Sequence, residues 1–321
     1  MSTGHNDILR IGSRGSQLAL WQANFILEAL RSAGYAAEID VIRTTGDRMQ
    51  QPGFVAPEGT DGKGIFTKEI EEALAEGRID LAVHSLKDLP TQLSPRFSLA
   101  AIPRRADARD AWVCEPYWGL HTLPFGGRVG TTSPRRKAQL LALRPDIEFI
   151  DVRGNIDTRL KKLAAGECDA LVLAAAGLDR LGRTEWVHQR FAPDELCPAP
   201  GQGALAIETR SCSHPIDETH DRFVVEAVAT LDHPETRFCV EAERIALDAL
   251  GGGCSIPIGV HCVPEPDRWR VFAQVIAPDG DSMAAIDMET PLSLSAEQLG
   301  EAVAEDLKSR GAMELLAPSR A

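Results

Sequence analysis

The stretch from Leu81 to Pro90, Leu-Ala-Val-His-Ser-Leu-Lys-Asp-Leu-Pro, constrains this chain more than any other. Leu81, Ala82 and Val83 form a short apolar run after Gly77 and Asp80, the pattern of a buried strand. The run breaks into His84, Ser85, Lys87 and Asp88, and Pro90 forbids a helix from continuing. A buried strand that ends in a polar turn belongs to an open α/β sheet, where ligands sit just beyond the carboxyl ends of strands. On these residues alone the turn reads either as a solvated strand end or as a site built on Lys87 and Asp88.

The same alternation precedes it. Ile8–Ile11 reads as a strand, Gly12-Ser13-Arg14-Gly15-Ser16 as a turn, and Leu18, Trp21, Phe25, Ala29 and Leu30 as a helix face running to Gly34. Backbone N–H groups at such a helix start favour anions, and Arg14 and Ser16 add donors. Ala37–Ile42 is a further strand, with Thr44-Thr45-Gly46-Asp47 at its end. Residues 48–62 are rich in Gly, Pro and Gln, as in a lid or a disordered segment. Thr67 is placed to N-cap a helix through Ala75, with Ile70, Ala73 and Leu74 on one face and Gly77 beyond its end. Phe97–Ile102 reads as a strand, and Pro103-Arg104-Arg105 as an exit from this unit.

A second α/β unit starts near Ala111. Its strands read as Arg128–Gly130, Ile147–Val152 and Ala170–Ala176. Thr131-Thr132-Ser133-Pro134 marks a helix start, with proline at the first helical position. Arg135 and Arg136 then lie in the first turn, where the helix dipole opposes cations, and this points to a bound anion that offsets both. Pro198-Ala-Pro-Gly-Gln-Gly203 and the strand Ala204–Glu208 are placed to carry the chain back into the first unit. Beyond residue 230 the character changes. Glu235–Leu250 is helical, and Val260–Val263, Trp269–Ile276 and Ala284–Met288 form a small antiparallel sheet. Ala296–Lys308 is a last helix, closed by Gly311.

Charge narrows the partners. The net charge of −13 disfavours general nucleic-acid or membrane binding. Yet residues 128–162 hold nine basic side chains against four acidic ones. That excess is either a solvated helix face or a pocket for a polyanion. The polar first residues carry no signal-peptide core, and no apolar run approaches a membrane span, so the expected location is the cytoplasm. The seven cysteines lack zinc-type pairing, and no metal site is expected. Cys254 alone follows three glycines, which leave space around its thiol. It is either incidental to a tight turn or an attachment point.

Five motifs together carry a family resemblance: His84-Ser-Leu-Lys-Asp-Leu-Pro90, Gly130-Thr-Thr-Ser-Pro-Arg-Arg136, Arg153-Gly-Asn-Ile-Asp-Thr-Arg159, Pro198-Ala-Pro-Gly-Gln-Gly203 and Leu250-Gly-Gly-Gly-Cys-Ser-Ile-Pro257. They resemble those of the porphobilinogen deaminase (hydroxymethylbilane synthase) family, in the family's order and over essentially the whole chain. Pro134 departs from the aliphatic residue that many relatives carry.

The resemblance implies an α/β fold with two periplasmic-binding-protein-like lobes joined by two hinge crossings. A small α+β C-terminal domain with a three-stranded antiparallel sheet completes it. The implied division is 1–103 with 204–229 (domain 1), 104–203 (domain 2) and 230–321 (domain 3). It implies a transferase that deaminates four porphobilinogen molecules and joins them head to tail into hydroxymethylbilane. The implied cofactor is a dipyrromethane held by a thioether to Cys254, with no metal. Asp88 is implied as the catalytic residue, stabilising the cationic pyrrolenine left by deamination. Cofactor contacts fall on Lys87, Ser85, Asp47, Thr131, Ser133, Arg135, Arg136, Arg159 and Arg180. Substrate contacts fall on Arg14, Ser16, Phe66, Thr132, Arg153 and Gln202. Each pyrrole carries an acetate and a propionate, and arginine's planar fork suits carboxylates. A monomer is expected, with porphobilinogen as its small-molecule partner.

Two other readings stand beside this one. A binding protein for an anionic small molecule is compatible with a two-lobed scaffold but leaves Cys254 without a role. Nucleic-acid binding through 128–162 lacks interleaved aromatics.

Overall fold

A computed structural model describes residues 8–48, 67–114, 116–252 and 256–316. They form two compact units, Met1–Arg105 with Ala204–Arg237, and Ala106–Gly203 with Phe238–Ala321. No helix among the described residues is long and apolar enough to cross a membrane.

Unit 1 is built on a five-stranded sheet. In chain order its elements are β1 (Leu9–Ser13), α1 (Gln17–Ser32), β2 (Ala37–Val41), α2 (Thr45–Arg48), α3 (Lys68–Ala75), β3 (Leu81–Ser85) and β4 (Phe97–Ala101). The strand order is β2-β1-β3-β10-β4, where β10 (Leu205–Arg210) enters from the returning chain. β1 runs parallel to β2 and β3, and β10 runs antiparallel to β3 and β4. Alternation along β3 sets its two faces. Leu81 and Val83 pack with Ala23, Ile26 and Leu27 of α1, and Ala82 packs with Ile70 and Leu74 of α3. A fully buried Ile26 is worth roughly 1.5–3 kcal/mol over an exposed one. Thr67 precedes α3 as expected, but its hydroxyl makes no cap bond and instead bonds the Glu71 carboxyl.

Unit 2 repeats the topology. Its elements are β5 (Asp110–Val113), β6 (Arg128–Gly130), α4 (Pro134–Leu143), β7 (Glu148–Ile150), α5 (Ile156–Ala164), β8 (Ala170–Ala174), α6 (Ala175–Arg180) and β9 (Val187–Arg190). The order β7-β6-β8-β5-β9 matches that of unit 1 strand for strand, with β5 as the antiparallel fourth strand. α4 starts as the sequence indicates, with Pro134 at its first turn and the Ser133 hydroxyl accepting from the Arg136 N–H.

After β10, α7 (Glu218–Ala229) covers unit 1, and α8 (Pro234–Ala249) carries the chain from unit 1 into unit 2. There β11 (Ile258–Pro264), β12 (Arg268–Ile276) and β13 (Met283–Pro291) form the antiparallel sheet. It packs with α8, α9 (Ala296–Ser309) and α10 (Ala312–Leu316). The Glu243 carboxylate of α8, fully buried, accepts from the N–H groups of Gly201 and Cys262, tying the 198–203 loop to β11. At Gly203 φ is +85°, and a Cβ there would strike the Ala106 carbonyl, so only glycine fits.

Asp107 clamps the start of β5, accepting from Arg109 and from Arg190 of β9. Burial pushes its pKa up, but the Arg109 and Arg190 hydrogen bonds outweigh this and hold it at about 2. The folded pKa lies below the unfolded one. The stabilisation is therefore complete above about pH 4 and is lost as pH falls toward 2. Asp107→Asn is expected to cost about 1–2 kcal/mol at pH 7, allowing for screening of a partly exposed pair. Urea unfolding should show the difference shrinking toward zero near pH 2, and a pH-independent difference would contradict this assignment.

Candidate active site

In unit 1 the β3 strand passes at Ser85 into a single 3-10 turn, Leu86–Asp88. Leu86 and Leu89 are buried on either side of the exposed Asp88. The Leu86 N–H donates to the Ala204 carbonyl and the Leu89 N–H to the Leu86 carbonyl. The turn is thus pinned by apolar anchors and backbone bonds, and Asp88 stands on it with no hydrogen bond or ion pair to any described residue. The signal in the sequence is the apolar run Leu81–Val83 breaking into a polar turn stopped by Pro90.

Neighbouring site residues are partly committed to structure. Ser85 lies on the α1 face of β3, and its hydroxyl oxygen accepts from the buried Gln22 amide at 2.9 Å, leaving its own O–H to donate. The Ser16 hydroxyl caps α1, accepting from the Ala19 N–H. Arg14 and Lys87 are half-buried. Asp47 lies in α2, but its side chain is outside the described residues, as are Phe66 and Cys254.

One buried group in unit 1 has no counterpart in the sequence reading. His84 Nε2 lies 3.1 Å from a Glu208 carboxylate oxygen, across the β3–β10 pair. Burial, with the Glu208 charge second, raises the Glu71 pKa beside them. Nothing in the local pattern marks such a trio, because its members come from β3, β10 and α3.

In unit 2, Arg135 and Arg136 meet an anion that the sequence reading did not supply. Asp110, fully buried at the start of β5, takes Arg136 Nε at 3.0 Å and Nη2 at 2.7 Å on one oxygen. Arg136 Nη1 donates to the Val172 carbonyl. Arg135 Nη1 sits 2.8 Å from the other Asp110 oxygen and donates to the Cys197 carbonyl at 2.6 Å. Although burial pushes the Asp110 pKa up, the two arginines prevail and hold it far below the usual carboxylate range. Burial also lowers the Arg136 pKa. The expectation of an external anion offsetting both arginines is therefore corrected: the protein's own carboxylate offsets one of the two charges.

Gln202 is fully buried, and its amide nitrogen donates to the Ala108 carbonyl and to Asp110, anchoring its loop. Thr131 is buried, with its hydroxyl accepting from the Ser133 N–H. Thr132 is half-buried and hydrogen-bonds to none of the described residues. Arg153 is exposed and makes no hydrogen bond or ion pair with described residues. Arg159 Nε donates to the Gly154 carbonyl, and Arg180 Nη2 to the Gly203 carbonyl. Burial pulls the Arg180 pKa down to about 10.

Each unit thus ends its sheet in polar groups suited to anions and proton transfer. Unit 1 carries an exposed carboxylate, Asp88, with no partner among the described residues, and unit 2 carries a guanidinium-rich cluster around Asp110. The family comparisons agree. Residues 9–218 match the family model described as "Porphobilinogen deaminase, dipyromethane cofactor binding domain", and 237–309 match "Porphobilinogen deaminase, C-terminal domain". The porphobilinogen deaminase of Roseiflexus castenholzii is 44% identical over 311 residues, covering 96% of this chain and 98% of that one. The porphobilinogen deaminase of Acidothermus cellulolyticus is 46% identical over 309 residues, covering 96% and 91%. Among solved structures, a putative methionine-binding lipoprotein from Bacillus subtilis aligns at a TM-score of 0.40 and 12% identity, over 68% of this chain and 89% of that one. The chain belongs to the porphobilinogen deaminase family, transferases of porphyrin and heme synthesis that carry a dipyrromethane cofactor.

Proposed function

We propose that this chain removes ammonia from porphobilinogen and joins four molecules head to tail into hydroxymethylbilane, on a primer held by a thioether to Cys254. One observation carries the reading: the Asp88 carboxylate is exposed, unpaired among the described residues, and fixed on a turn pinned by buried leucines. A carboxylate so placed accepts hydrogen bonds from pyrrole N–H groups and stabilises the cation left when ammonia departs. It also takes up the proton released when the new carbon–carbon bond forms and the ring regains aromaticity.

The donors in hand fit a polycarboxylate cofactor. Arg135 is nine-tenths buried yet leaves two guanidinium nitrogens unbonded by described residues, and Arg180 is partly desolvated. Lys87, Ser85, Asp47, Thr131, Ser133, Arg135, Arg136, Arg159 and Arg180 are assigned to the dipyrromethane. Arg14, Ser16, Phe66, Thr132, Arg153 and Gln202 are assigned to incoming porphobilinogen. The dipyrromethane supplies a tethered pyrrole end for chain growth. The protein's part is to bind carboxylates, fix the reacting ring and hold a proton at the Asp88 carboxylate.

The three-domain division at 103/104, 203/204 and 229/230 is kept as part of this reading. So are a monomeric state, a cytoplasmic location and the absence of a nucleic-acid partner, which the acidic charge balance favours. Incubation with porphobilinogen tests the activity. The expected result is four ammonia molecules released per linear tetrapyrrole; binding without ammonia release would leave only a binding protein.

A further inference from the structure

The turn that carries Asp88 takes its place from a neighbouring strand. β10 runs antiparallel to β3, with Leu205 opposite Ser85, Ala206 opposite His84 and Glu208 opposite Ala82. The Ala204 carbonyl, one residue before β10, accepts from the Leu86 N–H. The register of β10 on β3 therefore sets where the Leu86–Asp88 turn stands. On its other side β10 gives no such guide, because its pairing with β4 shifts between Ile207 and Glu208.

Ala82, His84 and Glu208 share one face of the sheet, the face on which Ala82 packs with Ile70 and Leu74. There His84 Nε2 lies 3.1 Å from Glu208 Oε2, diagonally across the two strands, with the side chains 6% and 0% exposed. The other carboxylate oxygen, Oε1, is buried without a hydrogen-bond partner. Glu71 gives no relief. Its carboxyl bonds the Thr67 hydroxyl, and burial first, then the Glu208 charge, raises its pKa. His84 is thus the one hydrogen-bond partner of the Glu208 carboxylate among the described residues. A slip of one residue would turn Glu208 to the opposite face, among Leu81, Val83 and Ile207. A buried charge without a partner is strongly unfavourable, so the pair holds the strands in the observed register.

We propose that Glu208, acting through His84, is a positioning residue for Asp88: the pair locks β10 on β3 and so fixes the turn that carries the Asp88 carboxylate. The proposal rests on the reading of Asp88 given above. Asp88 bonds to no described residue, so its place comes from the turn alone. A displacement of about 1 Å at a reacting group costs about 10²-fold in rate.

Variants of the full-length holoenzyme test this, with kcat counted per folded, cofactor-loaded molecule. His84→Leu/Glu208→Leu replaces the pair by apolar side chains. Such a replacement keeps or raises stability, so the melting temperature should stay within about 3 °C of wild type or exceed it. Apolar contact is non-directional, however, and tolerates a shifted turn. So kcat should fall about tenfold or more, while KM for porphobilinogen moves less than about threefold. Glu208→Gln keeps a hydrogen bond to His84 and should hold kcat within about threefold of wild type, whereas Glu208→Leu should lose about tenfold or more. In an Asp88→Asn background the apolar pair should slow turnover by less than about twofold further, because the positioned group is already gone. If the apolar pair does not fold, Glu208→Gln against Glu208→Leu still decides. An apolar-pair enzyme with wild-type kcat, equal kcat in Glu208→Gln and Glu208→Leu, or losses that multiply fully with Asp88→Asn would overturn the proposal. A wild-type protein that releases no ammonia from porphobilinogen, or an Asp88→Asn enzyme of full activity, would instead sink the functional reading.

Discussion

Asp88→Asn should lower porphobilinogen turnover by about 10³-fold or more while the protein keeps its fold and its bound cofactor. The size follows from two roles in one group. Removing a single preorganised electrostatic stabiliser costs about 10²–10³ in rate, and removing a general acid or base costs about 10²–10⁴. Asparagine keeps the shape but carries no charge and cannot take the proton. The fold should be indifferent, because no described partner holds the carboxylate and the turn is anchored by Leu86 and Leu89. Exposed substitutions of this kind change stability by about 0.5 kcal/mol or less. Single-turnover ammonia release and thermal melting together check the result. Turnover above a tenth of wild type would remove Asp88 from the mechanism.

Cys254→Ser should abolish the covalent cofactor and, with it, chain growth. A thiolate forms the thioether; a serine hydroxyl is a far weaker nucleophile near neutral pH. Two of the glycines that precede Cys254 in sequence lie among the described residues. Gly251 sits at φ +81°, and a Cβ on Gly252 would meet the Leu247 carbonyl. The comparison variant is Cys212→Ser. Cys212 is exposed, and the other described cysteines are buried. Its loss should leave the cofactor in place. An adduct that survives in Cys254→Ser and disappears in Cys212→Ser would reassign the attachment point.

Local chemistry explains which parts of the molecule were readable from its sequence. Pro134 after three hydroxyl residues can only begin a helix, and α4 begins there. Leu81–Val83 followed by a polar turn can only be a strand edge, and Asp88 stands at that edge. The three-stranded sheet follows from alternation such as Trp269, Val271, Ala273 and Val275, all buried on one face.

The unreadable parts depend on partners distant in the chain. Asp110 meets Arg136 across 26 residues and Gln202 across 92, and its own surroundings look like an ordinary strand start. His84 meets Glu208 across 124 residues, and Glu243 closes on Gly201 across 42. Short elements escaped as well. α10 has five residues after the Gly311 turn, and β9 has four with no fully buried face. A basic stretch announces that anions are wanted, but only the fold shows which cations the protein has already neutralised for itself.

The most direct measurement is the intact mass of the denatured protein, taken before and after brief exposure to porphobilinogen. Before exposure the mass should exceed that of the sequence by one dipyrromethane, and exposure should add a ladder of single pyrrole steps. An active preparation with the bare sequence mass, and no ladder on exposure, would contradict the account.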